Sequence, residues 1–103
     1  MNSIHERLLK EFMDVLIMGK MRNDELSGYD IISYIHRKFD YLVSSGTVYS
    51  ILYSMERDGL ITGKRINRKR IYRLTRKGEE TIKIIHHSND IFGNFLARFL
   101  KTE

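Results

Sequence analysis

Between Lys64 and Lys77 the chain reads KRINRKRIYRLTRK, eight lysines and arginines with no acid among them. Side chains of this type at this density neutralise anions, and a phosphate backbone releases its condensed counterions when they do so. The chain holds 18 Lys and Arg against 13 Asp and Glu; without those eight the balance is ten against thirteen, so the excess is local and the remainder is mildly acidic. A charge run is often a solvated tail. Here Ile66, Ile71, Tyr72 and Leu74 interrupt it at strand-like intervals, which a purely solvating segment has no reason to carry. The run therefore reads as two short strands joined near Asn67 and Arg68, asparagine being one of the few non-glycine residues that tolerates positive φ. Lys64, Arg65, Arg68, Lys69 and Arg70 cluster around that turn and can meet phosphates together. Arg73, Arg76 and Lys77 lie further along. Cations at a helix start are unfavourable in isolation, which makes Arg76 and Lys77 candidates for an external anion.

Other chemistries find no support. With no cysteine there is no disulfide framework, thiolate nucleophile or Cys-based zinc site. His86 and His87 are adjacent and point about 100° apart on a helix, so they cannot share a metal, while His86 with Asp90 has ligand spacing but no further partner. No glycine-rich phosphate loop, nucleophile elbow or HExxH occurs. The expectation is a protein that is not an enzyme, with no cofactor and no metal. Apolar stretches are only a few residues long, and MNSIHERLLKE lacks the layout of a signal peptide, so a soluble, cytoplasmic protein without membrane attachment is expected. At 103 residues and 42% hydrophobic content the chain reads as one domain over 1–103, with a core small enough that a second subunit would help it. A sequence pI near 9.6 favours polyanionic partners, nucleic acid before membrane, because the basic cluster is not on an amphipathic helix.

The elements that must position the basic run follow from caps and periodicity. Ser3 with Glu6 is a capping-box pattern, and Ile4, Leu8, Leu9, Phe12, Val15 and Leu16 recur at helical spacing, predicting a first helix over about 3–18. Gly19 to Glu25 is polar and breaks the pattern. Ser27 with Asp30 repeats the cap signal ahead of Ile31, Ile32, Ile35 and Phe39, a second helix. Ser44 or Ser45 can cap a third, in which Val48, Ile51, Leu52 and Met55 share a face, and Gly59 with Leu60 is placed to stop it. After the hairpin, Thr75 suits an N-cap and Glu79 and Glu80 the first turn of a last helix over about 76–101, interrupted by Gly93.

Two helices joined by a short turn and followed by a hairpin make a winged helix-turn-helix: mainly α, with a small two-stranded β-hairpin and an added C-terminal dimerisation helix. The third helix is then the reader of a DNA major groove. Ser45, Thr47, Tyr49, Ser50, Tyr53 and Arg57 offer donors and stacking surface away from Val48 and Leu52. The tyrosines also suit half-buried packing, since each has an apolar body and a polar tip.

These residues also match a family. SGYDI (Ser27 to Ile31), GTVYSIL (Gly46 to Leu52), MERDGLI (Met55 to Ile61) and KRIYRLTRKG (Lys69 to Gly78) resemble, in order and spacing, the PadR-like winged-helix transcriptional regulators. The likeness spans Leu26 to Gly78. It implies a homodimeric DNA-binding repressor, with DNA contacts at Thr47, Tyr49 and the wing, and dimerisation through the C-terminal and first helices. Two departures stand out: Ser50 occupies a position where the family commonly has proline, and the wing tip lacks the usual glycine.

Phe92, Phe95, Leu96, Phe99 and Leu100, with Leu8 and Phe12, present more apolar surface than one small domain needs, and are assigned to a dimer interface. A dimer sets two reading helices about 34 Å apart and implies a pseudo-palindromic site on double-stranded DNA. A small hydrophobic ligand between the subunits, as some relatives are thought to bind, is weighed below plain core packing. The alternatives are an architectural protein that coats DNA with little selectivity, and a protein-interaction module on the same fold.

Overall fold

A computed structural model describes residues 3–88. Within them the order is α1 (Ser3–Glu11), α2 (Met13–Met21), β1 (Leu26–Ser27), α3 (Gly28–Phe39), α4 (Ser45–Arg57), β2 (Ile61–Ile66), β3 (Lys69–Leu74) and α5 (Arg76–His87). Gly93 and the aromatic residues expected on the last helix, Phe92 to Leu100, lie outside the described residues, as does Asp90.

Local signals account for most boundaries. The Ser27 hydroxyl accepts from the Asp30 N–H at 3.1 Å, and the Asp30 carboxylate accepts from the Ser27 N–H at 2.9 Å, a closed capping box at the start of α3. That second bond, the larger influence, holds the Asp30 carboxyl below its ordinary range. Ser44, not Ser45, caps α4 through Thr47 N–H at 3.1 Å. At its other end Leu60 N–H returns to Met55 O and Gly59 N–H to Glu56 O, both at 3.0 Å, with Gly59 at φ +77°, a Schellman stop that needs the left-handed glycine. Thr75 caps α5 through Gly78 N–H at 3.0 Å.

Tertiary packing overrides the sequence reading in three places. The expected first helix is two: Phe12, at φ −108° and ψ 19°, breaks it, although Phe12 N–H to Leu8 O and Leu16 N–H to Phe12 O keep the hydrogen-bond ladder running past the break. Helix α2 also continues through the polar Gly19 and Lys20 to Met21, because Met18 and Met21 are buried in the core. Finally, the hairpin belongs to a three-stranded antiparallel sheet in the order β1-β3-β2, with Leu26 opposite Tyr72 and Ser27 opposite Ile71. Two residues are too few to show a period in sequence; β1 exists because β3 offers it a free edge.

The core joins α2, α3, α4 and the sheet, with Met13, Ile17, Ile31, Ile35, Val48, Leu52 and Ile61 fully buried. It therefore pins α3 and α4 to each other and β2 to the end of α4, which is what holds the wing relative to the expected reading helix.

Candidate nucleic-acid interface

Helix α4 buries Val48, Leu52 and Met55, half-buries Ile51, Ser54 and Glu56, and leaves the remaining side open. With about 100° between successive residues, Tyr49, Tyr53, Arg57, Ser50 and Thr47 spread over about 160° of the exposed side, and Glu56 lies about 20° beyond Tyr49. Ser45, Thr47, Tyr49, Ser50, Tyr53 and Arg57 are all exposed. Tyr53 is the most open of the two tyrosines at 68%, against 48% for Tyr49. The difference has a cause: the phenol end of Tyr49 sits where a side chain on Gly28 would begin, so that end of the ring packs on the start of α3. Arg57 stands 5.7 Å from the Tyr53 ring, one turn on. The Ser44 hydroxyl donates to Thr47 Oγ1 at 2.9 Å, leaving the Thr47 proton to be donated outward. No acid lies in the first turn of α4, so the positive end of its dipole is uncompensated there.

The wing turns at Asn67 and Arg68, with φ of +50° and +69°, a two-residue turn of the primed kind that matches strand twist. Opposite residues in an antiparallel pair share a face, and the pairs here are Ile61 with Leu74, Gly63 with Tyr72 and Arg65 with Arg70 on one side, and Thr62 with Arg73, Lys64 with Ile71 and Ile66 with Lys69 on the other. The first face holds the buried Ile61, Tyr72 and Leu74 and so looks toward the core and α4. The five wing cations are thus not one cluster. Arg65 and Arg70 lie on the α4 side, Lys64 and Lys69 on the opposite side beside Ile66 and Ile71, and Arg68 at the tip.

Arg70 has a partner that the sequence reading did not foresee. Its guanidinium donates to Glu56 Oε2 at 2.6 Å, and the same oxygen accepts the Gly63 N–H at 3.2 Å. This pairing raises the Arg70 pKa, with the hydrogen bond to Glu56 the chief cause, and Arg70 also stands 5.7 Å from the Tyr72 ring. Burial pushes the Tyr72 phenol up from its usual value. Arg70 passes so close over Gly63 that a Cβ there would lie 2.5 Å from Nε. A glycine inside a strand is the signal that could have revealed this approach, and the position of Glu56 seven residues after Tyr49, on the same stripe, could have placed its carboxylate. Lys77, expected to seek an external anion, instead donates to Asp58 O at 2.9 Å and closes the end of α4, and Arg76 pairs with Glu80 at 3.6 Å.

Of the residues assigned to a dimer interface, Leu8 and Phe12 are 53% and 42% exposed and, with Ile4, form a stripe at four-residue spacing. No three His, Asp or Glu side chains converge as a metal site among the described residues. Among the same residues no helix is long and apolar enough to cross a membrane.

Comparison with known proteins bears on the family and the fold. Residues 17–84 match the model of the family described as transcriptional regulator PadR-like. No curated protein matches the chain. Among solved structures, a PadR-like transcriptional regulator from Bacillus cereus shares the fold at a TM-score of 0.79, with 24% identity over 94% of this chain and 99% of that one. A PadR family transcriptional regulator from Eggerthella lenta reaches a TM-score of 0.82 at 16% identity, covering 98% of this chain and 92% of the other. Bacillus subtilis PadR, solved in complex with operator DNA, is 29% identical with a TM-score of 0.62, over 69% of this chain and 44% of that one. Since the family match takes in the three N-caps, α4 and the whole wing, the chain belongs to the PadR-like family of transcriptional regulators, which are not enzymes.

Proposed function

We propose that the protein is a sequence-specific double-stranded DNA-binding regulator, a repressor acting in the cytoplasm as a homodimer on a pseudo-palindromic site. Helix α4 enters the major groove, where Ser45, Thr47, Tyr49, Ser50 and Tyr53 meet base edges and sugars, and the wing lies on phosphates. The observation that carries this reading is the uncovered polar side of α4 standing beside a basic hairpin that is tied to the same tyrosine stripe through Glu56 and Arg70. The Bacillus subtilis relative in complex with operator DNA supports it. Arg65 and Arg68 are the wing contacts nearest that side, and Lys64 and Lys69 reach the flanking backbone by their long stems. The exposed Leu8 and Phe12, with Phe92, Phe95, Leu96, Phe99 and Leu100, form the dimer surface.

Fluorescence anisotropy of duplex DNA tests the reading. A duplex selected by the protein from a randomised pool and a scrambled control are titrated at several salt concentrations. The expected result is a cognate-to-random affinity ratio of about 10³ or more, in the range of sequence-specific regulators. A ratio below about 10 favours the architectural alternative, and no binding even at low salt favours an interaction module.

A further inference from the structure

Arg70 and Arg65 stand directly opposite each other across β2 and β3, an arrangement of like charges that destabilises a strand pair. Glu56 resolves it. One carboxylate oxygen on α4 accepts from the Arg70 side chain on β3 and from the backbone of Gly63 on β2, so a single atom fastens both strands of the wing to the stripe that carries Tyr49 and Tyr53. Gly63 has no side chain because Arg70 crosses above it on the way to Glu56. Two residues from the two strands of the wing thus converge on one carboxylate oxygen from α4.

We propose that Glu56 is a specificity-determining positioning residue: it fixes the wing at one angle to α4 and withholds the Arg70 cation from indiscriminate phosphate binding. This inference rests on the DNA-binding reading above. An arginine that is neutralised at 2.6 Å releases no further counterion from DNA, whereas one set free does. Loss of the Glu56 charge therefore makes binding tighter on random sequence and less selective, the reverse of what a generally weakened protein would do.

The test is a double-mutant cycle of Glu56→Gln and Arg70→Gln, read as the log–log salt dependence of binding to the selected and scrambled duplexes. Glutamine keeps the volume of Glu56 and can still accept the Gly63 N–H. In E56Q the slope on scrambled DNA is expected to steepen by about 0.9 and the affinity near physiological salt to rise about threefold, one phosphate contact's share of the salt effect, while the cognate-to-random ratio falls at least as much. In R70Q the slope is expected to stay as in the wild type while cognate affinity falls, and in the R70Q background E56Q should no longer steepen it. A flattening by about 0.9 in R70Q, or an E56Q effect equally large in both backgrounds, would overturn the proposal, because Arg70 would then be an ordinary phosphate contact or Glu56 a simple repulsive charge. Circular dichroism melts establish that each variant is folded, and if E56Q is not, the R70Q slope alone decides. A wild type that binds neither duplex defeats the DNA-binding reading itself; a wild type that binds normally with an unchanged E56Q slope defeats only the role given to Glu56.

Discussion

The phenol end of Tyr49 on α4 occupies the space above Gly28 at the start of α3, where a Cβ would stand 2.5 Å from Tyr49 Cζ and 2.6 Å from its hydroxyl oxygen. The two helices of the helix-turn-helix meet there through a side chain that also faces solvent. Gly28→Ala forces the ring to move, and as the far end of a half-exposed side chain it can. Alanine offsets part of the cost by about 0.4–1 kcal/mol, because it lowers the entropy of the unfolded chain. Stability in urea titrations should stay within about 1 kcal/mol of wild type, while affinity for the selected duplex falls about tenfold and affinity for scrambled DNA holds.

Gly78 presents the same chemistry with the opposite outcome. A Cβ there would collide with the carbonyl oxygen of Leu60, and its next neighbour is the Leu60 carbonyl carbon. That backbone cannot swing aside, since Leu60 O accepts from Thr75 N–H at 3.0 Å and Leu60 N–H is spent on the α4 stop. Gly78→Ala should destabilise the protein by about 1–3 kcal/mol despite the gain in helix propensity, read as a lower urea midpoint with an unchanged slope.

The capping box of α3 gives the protein an acid limb. Because the Ser27 N–H holds the Asp30 pKa below its ordinary 3.8, the folded state binds that proton less readily than the unfolded chain. The stabilisation is fully present above about 3.8 and is lost as pH falls through and below that value. Urea midpoints for wild type and Asp30→Asn, compared at pH 6 and pH 3, should show the smaller drop in the variant. Ser27→Ala should cost about 1 kcal/mol at neutral pH.

Arg68 sits at φ +69°, a left-handed conformation in which a β-carbon costs about 1 kcal/mol. Arg68→Gly relieves that strain and completes the Asn-Gly turn, so the melting temperature should rise by a few degrees. The same change removes a wing-tip cation, so binding to both duplexes should weaken and the salt slope flatten by about 0.9. A variant that is more stable yet binds less well separates the tip's function from its folding.

Features carried by neighbouring residues are legible in the sequence. The three N-caps at Ser27, Ser44 and Thr75, the glycine stop at the end of α4 and the turn at Asn67 and Arg68 each depend on side chains and backbone groups within a few residues of one another, which sequence order already brings together. The exposed arc of α4 was legible for the same reason, because 3.6 residues per turn fixes which side chains oppose Val48 and Leu52. The strand at Leu26 and Ser27 and the capture of Arg70 were not, since each depends on groups distant along the chain.

Order along the chain, the period of its apolar residues and the chemistry of its turn positions determined that this protein is a winged helix with a basic hairpin beside a helix whose exposed side is rich in tyrosine and hydroxyl side chains. Tertiary structure decided how that hairpin is oriented. The pleat divides its cations between two faces, and which face looks at α4 is set by burial of Ile61, Tyr72 and Leu74 in a core assembled from distant segments. Only once that face is chosen do Glu56 and Arg70, fourteen positions apart, come within a hydrogen bond that ties the wing to α4.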